Sequence, residues 1–126
     1  MDGKPSSTNH VSILASWEDK KSLVARIWRG RTRRDRADAY AEILQASTHL
    51  IASKPNNLGV QMFRNDKEDV TEFMVMSYWP SVESMSSWSA DVRRVRHLPE
   101  DEDFLLELPE FVDLYEMVSN RWVMKS

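Results

Sequence analysis

The stretch SSWSADVRRVRH, residues 86–97, gathers a tryptophan, three arginines and a histidine. An imidazole can ligate a metal or carry a proton near neutral pH, and an indole supplies a flat apolar wall. Trp88 and His97 are nine positions apart. At about 100° per residue on an unbroken helix, that spacing puts them on opposite sides. They converge only if the helix breaks, and Ser89-Ala90 is the place for a break, with Asp91 capping a new turn. On an unbroken helix, Trp88 is core and His97 sits favourably at the negative end of the helix dipole. His10 lies in an aperiodic N-terminal stretch, and His49 falls on the helix face opposite Tyr40.

Two charged runs could also do chemistry. RIWRGRTRRDR (26–36) carries six arginines, but they straddle a strand end, a loop and a helix start in a chain of net charge −3. That argues against nucleic acid and for a solvated face, or for pairing with acidic groups of a partner. PEDED (99–103) lacks the glycine and ligand spacing of an EF-hand loop. It reads as a solvated loop paired with Arg93, Arg94 or Arg96. The absence of cysteine excludes disulfides, thiolate metal sites and a cysteine nucleophile. No Gly-rich phosphate loop, G-x-S-x-G elbow or H-E-x-x-H motif occurs, so no metal site is expected. Five tryptophans and seven methionines are many for 126 residues. They fit a core or a subunit interface first, and a cavity for a flat apolar ligand second.

The elements that must position these groups follow from periodicity. Residues 1–21 form a tail, residues 22–119 the domain and residues 120–126 a C-terminal tail. SLVARIWRG alternates as a strand that Gly30 ends. Thr32 followed by Asp35 resembles a capping box opening a helix, along which Tyr40, Ile43, Leu44, Ser47, Leu50 and Ile51 make one buried stripe. SKPNN breaks that helix. LGVQMFR (58–64), the turn NDKED and VTEFMVMSYW (70–79) read as a hairpin, and the second strand is apolar on both faces. A short chain has helix enough to cover one face only, so a second copy is expected on the other. Pro80-Ser81 opens a second helix with Val82, Met85, Trp88, Val92, Val95 and Leu98 at helical spacing, stopped by Pro99. FVDLYEMVS (111–119) is the closing strand. The order βαββαβ predicts an α+β, ferredoxin-like fold with a four-stranded antiparallel sheet. Hydrophobic residues at 41% and charged residues at 29% fit a globular domain. No long apolar run or basic-then-apolar leader is present and the net charge is −3, so neither a membrane nor nucleic acid is expected as a partner, and a cytoplasmic location is expected.

ARIWRGRT on the first strand, GVQMFRND and TEFMVMSYWPSVESMSSW across the hairpin and second helix, and the closing VDLYEMV together resemble the antibiotic biosynthesis monooxygenase superfamily over residues 22–119. The resemblance implies a homodimeric α/β barrel, two sheets face to face, with a cavity between sheet and helices in each protomer. It also implies three alternative functions. The first is a cofactor-independent monooxygenase acting on a small aromatic or polyketide-like compound. Such an enzyme needs a base, a cation for the oxyanion and aromatic walls in a dry pocket. His97 would be the base, Arg26 the cation, and Trp28, Tyr40, Phe73, Trp79 and Trp88 the walls. The second is a non-catalytic ligand-binding or structural dimer, in which those aromatics are core and Arg26 is a solvated or salt-bridged strand residue. The third is haem binding and degradation. Trp88, Asp91-Val92 and His97 follow the order of that branch's motif, but the spacing is nine rather than ten and the first strand carries no asparagine.

Overall fold

A computed structural model of the chain describes residues 23–86 and 91–122. Four strands form one antiparallel sheet: β1 (Val24–Arg33), β2 (Gly59–Asp66), β3 (Val70–Trp79) and β4 (Asp113–Glu116), in the order β2-β3-β1-β4. One long helix, α1 (Ala37–Ala52), crosses between β1 and β2, and a single helical turn, α2 (Asp101–Phe104), precedes β4. This is the ferredoxin-like arrangement that the alternating pattern predicts.

Alternation along the strands sorts the side chains into two faces. Trp28, Phe73 and Val75 face α1 and bury against Ala37, Tyr40, Leu44, Val95, Leu105 and Val112. Val24, Trp79, Met85 and Val92 extend that layer toward the other end of the sheet. On the opposite face Ala25, Ile27 and Tyr78 are buried with Leu58, Met74, Met76 and Met117 packed around them, while Phe63 and Tyr115 remain exposed.

Helix α1 is built on strong helix formers, and its apolar residues at 40, 44 and 51 face the sheet. Leu50 departs from the expected stripe: it is 58% exposed, turned away from the core at the last turn of α1. The start of α1 also differs. β1 runs past Gly30 to Arg33, a 3₁₀ turn covers Arg34–Arg36, and α1 begins at Ala37 without a side-chain cap. Thr32 is therefore a fully buried strand residue opposite Thr71, not a cap. After α1, Asn56 takes a left-handed conformation (φ 71°) that asparagine tolerates.

The second half departs most from expectation. After β3, Ser81 and Ser84 each accept the other's backbone N–H, starting a 3₁₀ turn at Glu83–Met85. Residues 91–98 are not helical: a turn leads into an isolated bridge between Arg94 and Phe111. The backbone N–H of Val95 bonds Glu110, and that of Val112 bonds Arg93. The expected single helix over 80–98 therefore does not form, because its C-terminal half pairs with the chain ahead of β4. Trp88 and the Ser89-Ala90 break lie outside the described residues. The final strand is also shorter than FVDLYEMVS, covering Asp113–Glu116.

The arginine run is largely paired within the chain. Arg29 meets Asp113, Arg31 meets Glu107 and Arg33 meets Asp35. The guanidinium of Arg36 stacks 4.1 Å over the Phe104 ring. Among the described residues, no helix is long and apolar enough to cross a membrane.

Candidate functional site

Arg26 leaves β1 on the face toward α1 and is 6% exposed. Its Nε donates to the Val92 carbonyl at 2.9 Å and its Nη2 to the Arg94 carbonyl at 3.3 Å. The guanidinium therefore ties residues 92–94 down over the sheet. Burial lowers its pKa to about 10, so it stays charged at neutral pH. It is buried, not the solvated strand residue that the plainer reading allowed.

Beside it lies a partly open cavity of about 60 Å³ lined by Arg26, Trp28, Ile51, Val75, Ser77, Val95 and Arg96. The sheet supplies the floor, Ile51 at the end of α1 one wall, and the 91–98 segment the roof. Ser77 sits directly across from Arg26 in the β1–β3 ladder, and Trp28 across from Val75. Cross-strand neighbours of this kind put side chains about 5 Å apart on one face. A cation, a hydroxyl and an indole thus surround a small, mainly apolar space, which suits a flat ligand with one anionic oxygen.

The position of the Trp28 ring depends on Gly30. A Cβ at residue 30 would come within 2.4 Å and 2.7 Å of two Trp28 ring atoms and 3.2 Å of Leu105 Cδ2. The indole can approach the glycine this closely because no Cβ stands there.

The structure separates the remaining expected site residues. Trp79 is fully buried and donates its indole N–H to Ser77 Oγ at 2.9 Å, so it backs the cavity wall from behind. Phe73 and Tyr40 pack edge-to-face at 5.5 Å in the core and are absent from the cavity lining. His97 is also outside the lining; its Nδ1 stands 3.7 Å from Asp101 Oδ2, and its side chain is 37% exposed. Trp88 lies outside the described residues.

Asp101 is one polar residue that sequence reasoning missed. Far from being part of a solvated acidic loop, it is 2% exposed. Its Oδ1 accepts the Tyr40 hydroxyl at 2.8 Å and its Oδ2 the Leu98 N–H at 2.9 Å. Of the three arginines expected to pair with that loop, Arg94 pairs with Asp91 and Glu110 instead. Burial, then the bond to Asp101, push the Tyr40 phenol far above the ordinary tyrosine range. The folded state therefore keeps this proton where the unfolded chain releases it. Stability from this group is full below about pH 10 and falls as pH rises beyond it. Urea unfolding of Tyr40→Phe is expected to show lower stability at neutral pH and a shallower loss between about pH 9 and pH 11 than the parent. Parallel pH profiles for the two proteins would rule this out.

A larger concavity, about 360 Å³, lies on the other side of the sheet and is bordered by Arg29, Arg31, Phe63, Asn65, Glu72 and Met74. Among the described residues no group of three or more His, Asp or Glu side chains could hold a metal ion. Nor do these residues fit a haem: His97 is outside the cavity lining, and a cavity of about 60 Å³ is far smaller than a porphyrin.

A four-stranded antiparallel sheet in the order β2-β3-β1-β4, with a pocket between it and the covering segments, defines a ferredoxin-like α+β protein. The chain belongs to the antibiotic biosynthesis monooxygenase family, whose sequence profile matches residues 23–93, more than half its length. Its fold is similar to that of a Bacillus cereus protein classed with the antibiotic biosynthesis monooxygenases (TM-score 0.58, 14% identity, 81% of this chain and 99% of the other). It is also similar to a protein of unknown function from Nitrosomonas europaea (TM-score 0.57, 12% identity, 84% of this chain and 99% of the other). A comparison with curated proteins finds no match.

Proposed function

We propose that the chain is a cofactor-independent monooxygenase for a small hydroxyaromatic compound, and that the cavity beside Arg26 holds the substrate's oxygen. The observation that carries this reading is a buried, charged guanidinium facing a small apolar space between sheet and roof. The substrate loses a proton to a base, and Arg26 stabilises the resulting phenolate or enolate. The carbanion then reduces dioxygen. A ring CH2 becomes C=O, one oxygen atom enters the product and the other leaves as water, so the substrate supplies all four electrons. The base in this reading is His97, which lies on the segment that roofs the cavity but outside its lining, so it would meet the part of the substrate on the cavity's open side. Trp28 is the wall against which the ring lies. The cavity accepts the oxygen-bearing end of a ring, and the remainder occupies its open side. Oxygen uptake with hydroquinone- and hydroxyanthrone-type substrates tests the reaction. Arg26→Met is expected to lower the rate about 10²-fold, the usual cost of losing one oxyanion donor. Equal rates for the two proteins would remove Arg26 from the chemistry.

The second reading, a non-catalytic ligand-binding dimer, is favoured by the small size of the cavity. It predicts binding of the same compounds without oxygen consumption. In both readings a second copy covers the outer face of the sheet, where Phe63 and Tyr115 are exposed beside Met74 and Met76. Light scattering at micromolar concentration is expected to give twice the chain mass, and a monomer would exclude the two-sheet barrel.

A further inference from the structure

Ser77 is 2% exposed, and its Oγ accepts the Trp79 indole N–H at 2.9 Å. A hydroxyl that accepts one bond still has its own hydrogen to donate. Among the described residues nothing accepts that hydrogen, and the residue lines the cavity directly across the ladder from Arg26. A buried donor left unused is costly, so such groups usually serve a ligand or an ordered water. Trp79 cannot rotate away, because it is fully buried among Val24, Met85 and Val92. Its N–H occupies a lone pair of Ser77 and leaves the hydroxyl hydrogen free to turn to a ligand in the cavity that the residue lines.

We propose that Ser77 is a second binding residue of this cavity, its hydroxyl held by the Trp79 indole and donating to the same phenolate or enolate oxygen that Arg26 attracts. This rests on the reading of the cavity as an oxyanion site. Ser77 would touch the ligand, whereas Trp79 would be a positioning residue. A hydroxyl donor beside a buried cation makes the site selective for an anionic oxygen, because a methyl group there would leave the Ser77 hydroxyl without an acceptor and the cation without a counter-charge from the ligand.

The test uses the full chain and 4-nitrophenol, whose phenolate absorbs in the visible and forms near neutral pH. The parent protein is expected to bind the phenolate and to lower the probe's apparent pKa on binding. Ser77→Ala should weaken phenolate binding about tenfold or more and return the bound probe's pKa toward its free value. Ser77→Cys, nearly isosteric but a poor donor, should behave like Ser77→Ala, and Ser77→Thr should keep most of the affinity. Thermal unfolding of each variant shows whether it is folded, and a loss of packing alone would not move the probe's pKa. If Arg26→Met abolishes binding while Ser77→Ala and Ser77→Cys bind as the parent does, the role of Ser77 is overturned and the oxyanion site stands. If the parent does not bind the phenolate at all, both are overturned.

Discussion

Asp101→Ala is expected to lower the unfolding midpoint by roughly 10 °C, corresponding to about 3 kcal/mol for a domain of this size. The carboxylate accepts a hydrogen bond from the Tyr40 hydroxyl and another from the Leu98 N–H, and it is almost wholly buried. Truncation leaves both donors buried without an acceptor, at about 1–3 kcal/mol each before any relaxation. The effect should spread beyond the residue itself. Tyr40 belongs to α1 and Leu98 to the segment that roofs the cavity, so this one carboxylate joins the long helix to the roof. Asp101→Asn keeps one carbonyl acceptor and should cost less. Calorimetry of the two variants decides the matter: a midpoint within about 2 °C of the parent for Asp101→Ala would mean that water replaces both bonds.

Gly30→Ala is the second large effect. The added methyl would sit inside the contact radius of the Trp28 ring, and Leu105 closes the other side. Overpacking of this kind costs about 1–3 kcal/mol. Here the ring must also turn toward the cavity it lines, so ligand binding should fall together with stability. The compensating change is Trp28→Leu, which removes the ring that clashes. The double variant is expected to recover stability relative to the sum of the singles, with a coupling of about 1 kcal/mol or more. Additive costs in this cycle would show that the methyl is accommodated elsewhere.

The parts of the fold legible in the sequence are those set by neighbours along the chain. VTEFMVMSYW alternates so that Phe73, Val75, Ser77 and Trp79 share a face, and the structure uses that face for the core and the cavity. The Tyr40–Leu44 part of the helical stripe is equally local. What could not be read locally is decided by partners far away. Val92, Val95 and Leu98 have helical spacing, yet Arg26, 66 residues before Val92, captures the Val92 carbonyl that a helix would need. Phe111 then pairs with Arg94. Asp101 sits in an acidic run whose composition says solvent, and only Tyr40, 61 residues away, makes it a buried acceptor. Thr32 carries a cap-like pattern but is held in the strand by the ladder to Thr71. Strand alternation puts Arg26 and Trp28 on one face, and the resemblance implied a cavity over that face, where both line it. Ser77 was not singled out: a small hydroxyl on a strand gives no signal until its cross-strand partner is known.

The β1–β3 ladder has a consequence for how the cavity can change over generations. Ten consecutive rungs, from Val24 opposite Trp79 to Arg33 opposite Val70, fix which residues meet. Because side chains alternate strictly, adding or deleting one residue within β3 would turn Ser77 to the outer face and bring Met76 or Tyr78 opposite Arg26. The cavity is therefore open to substitution and closed to insertion. Single-base changes can retune its walls one side chain at a time, whereas a gained or lost codon inside the ladder would remove cation, hydroxyl and indole from one another's reach together.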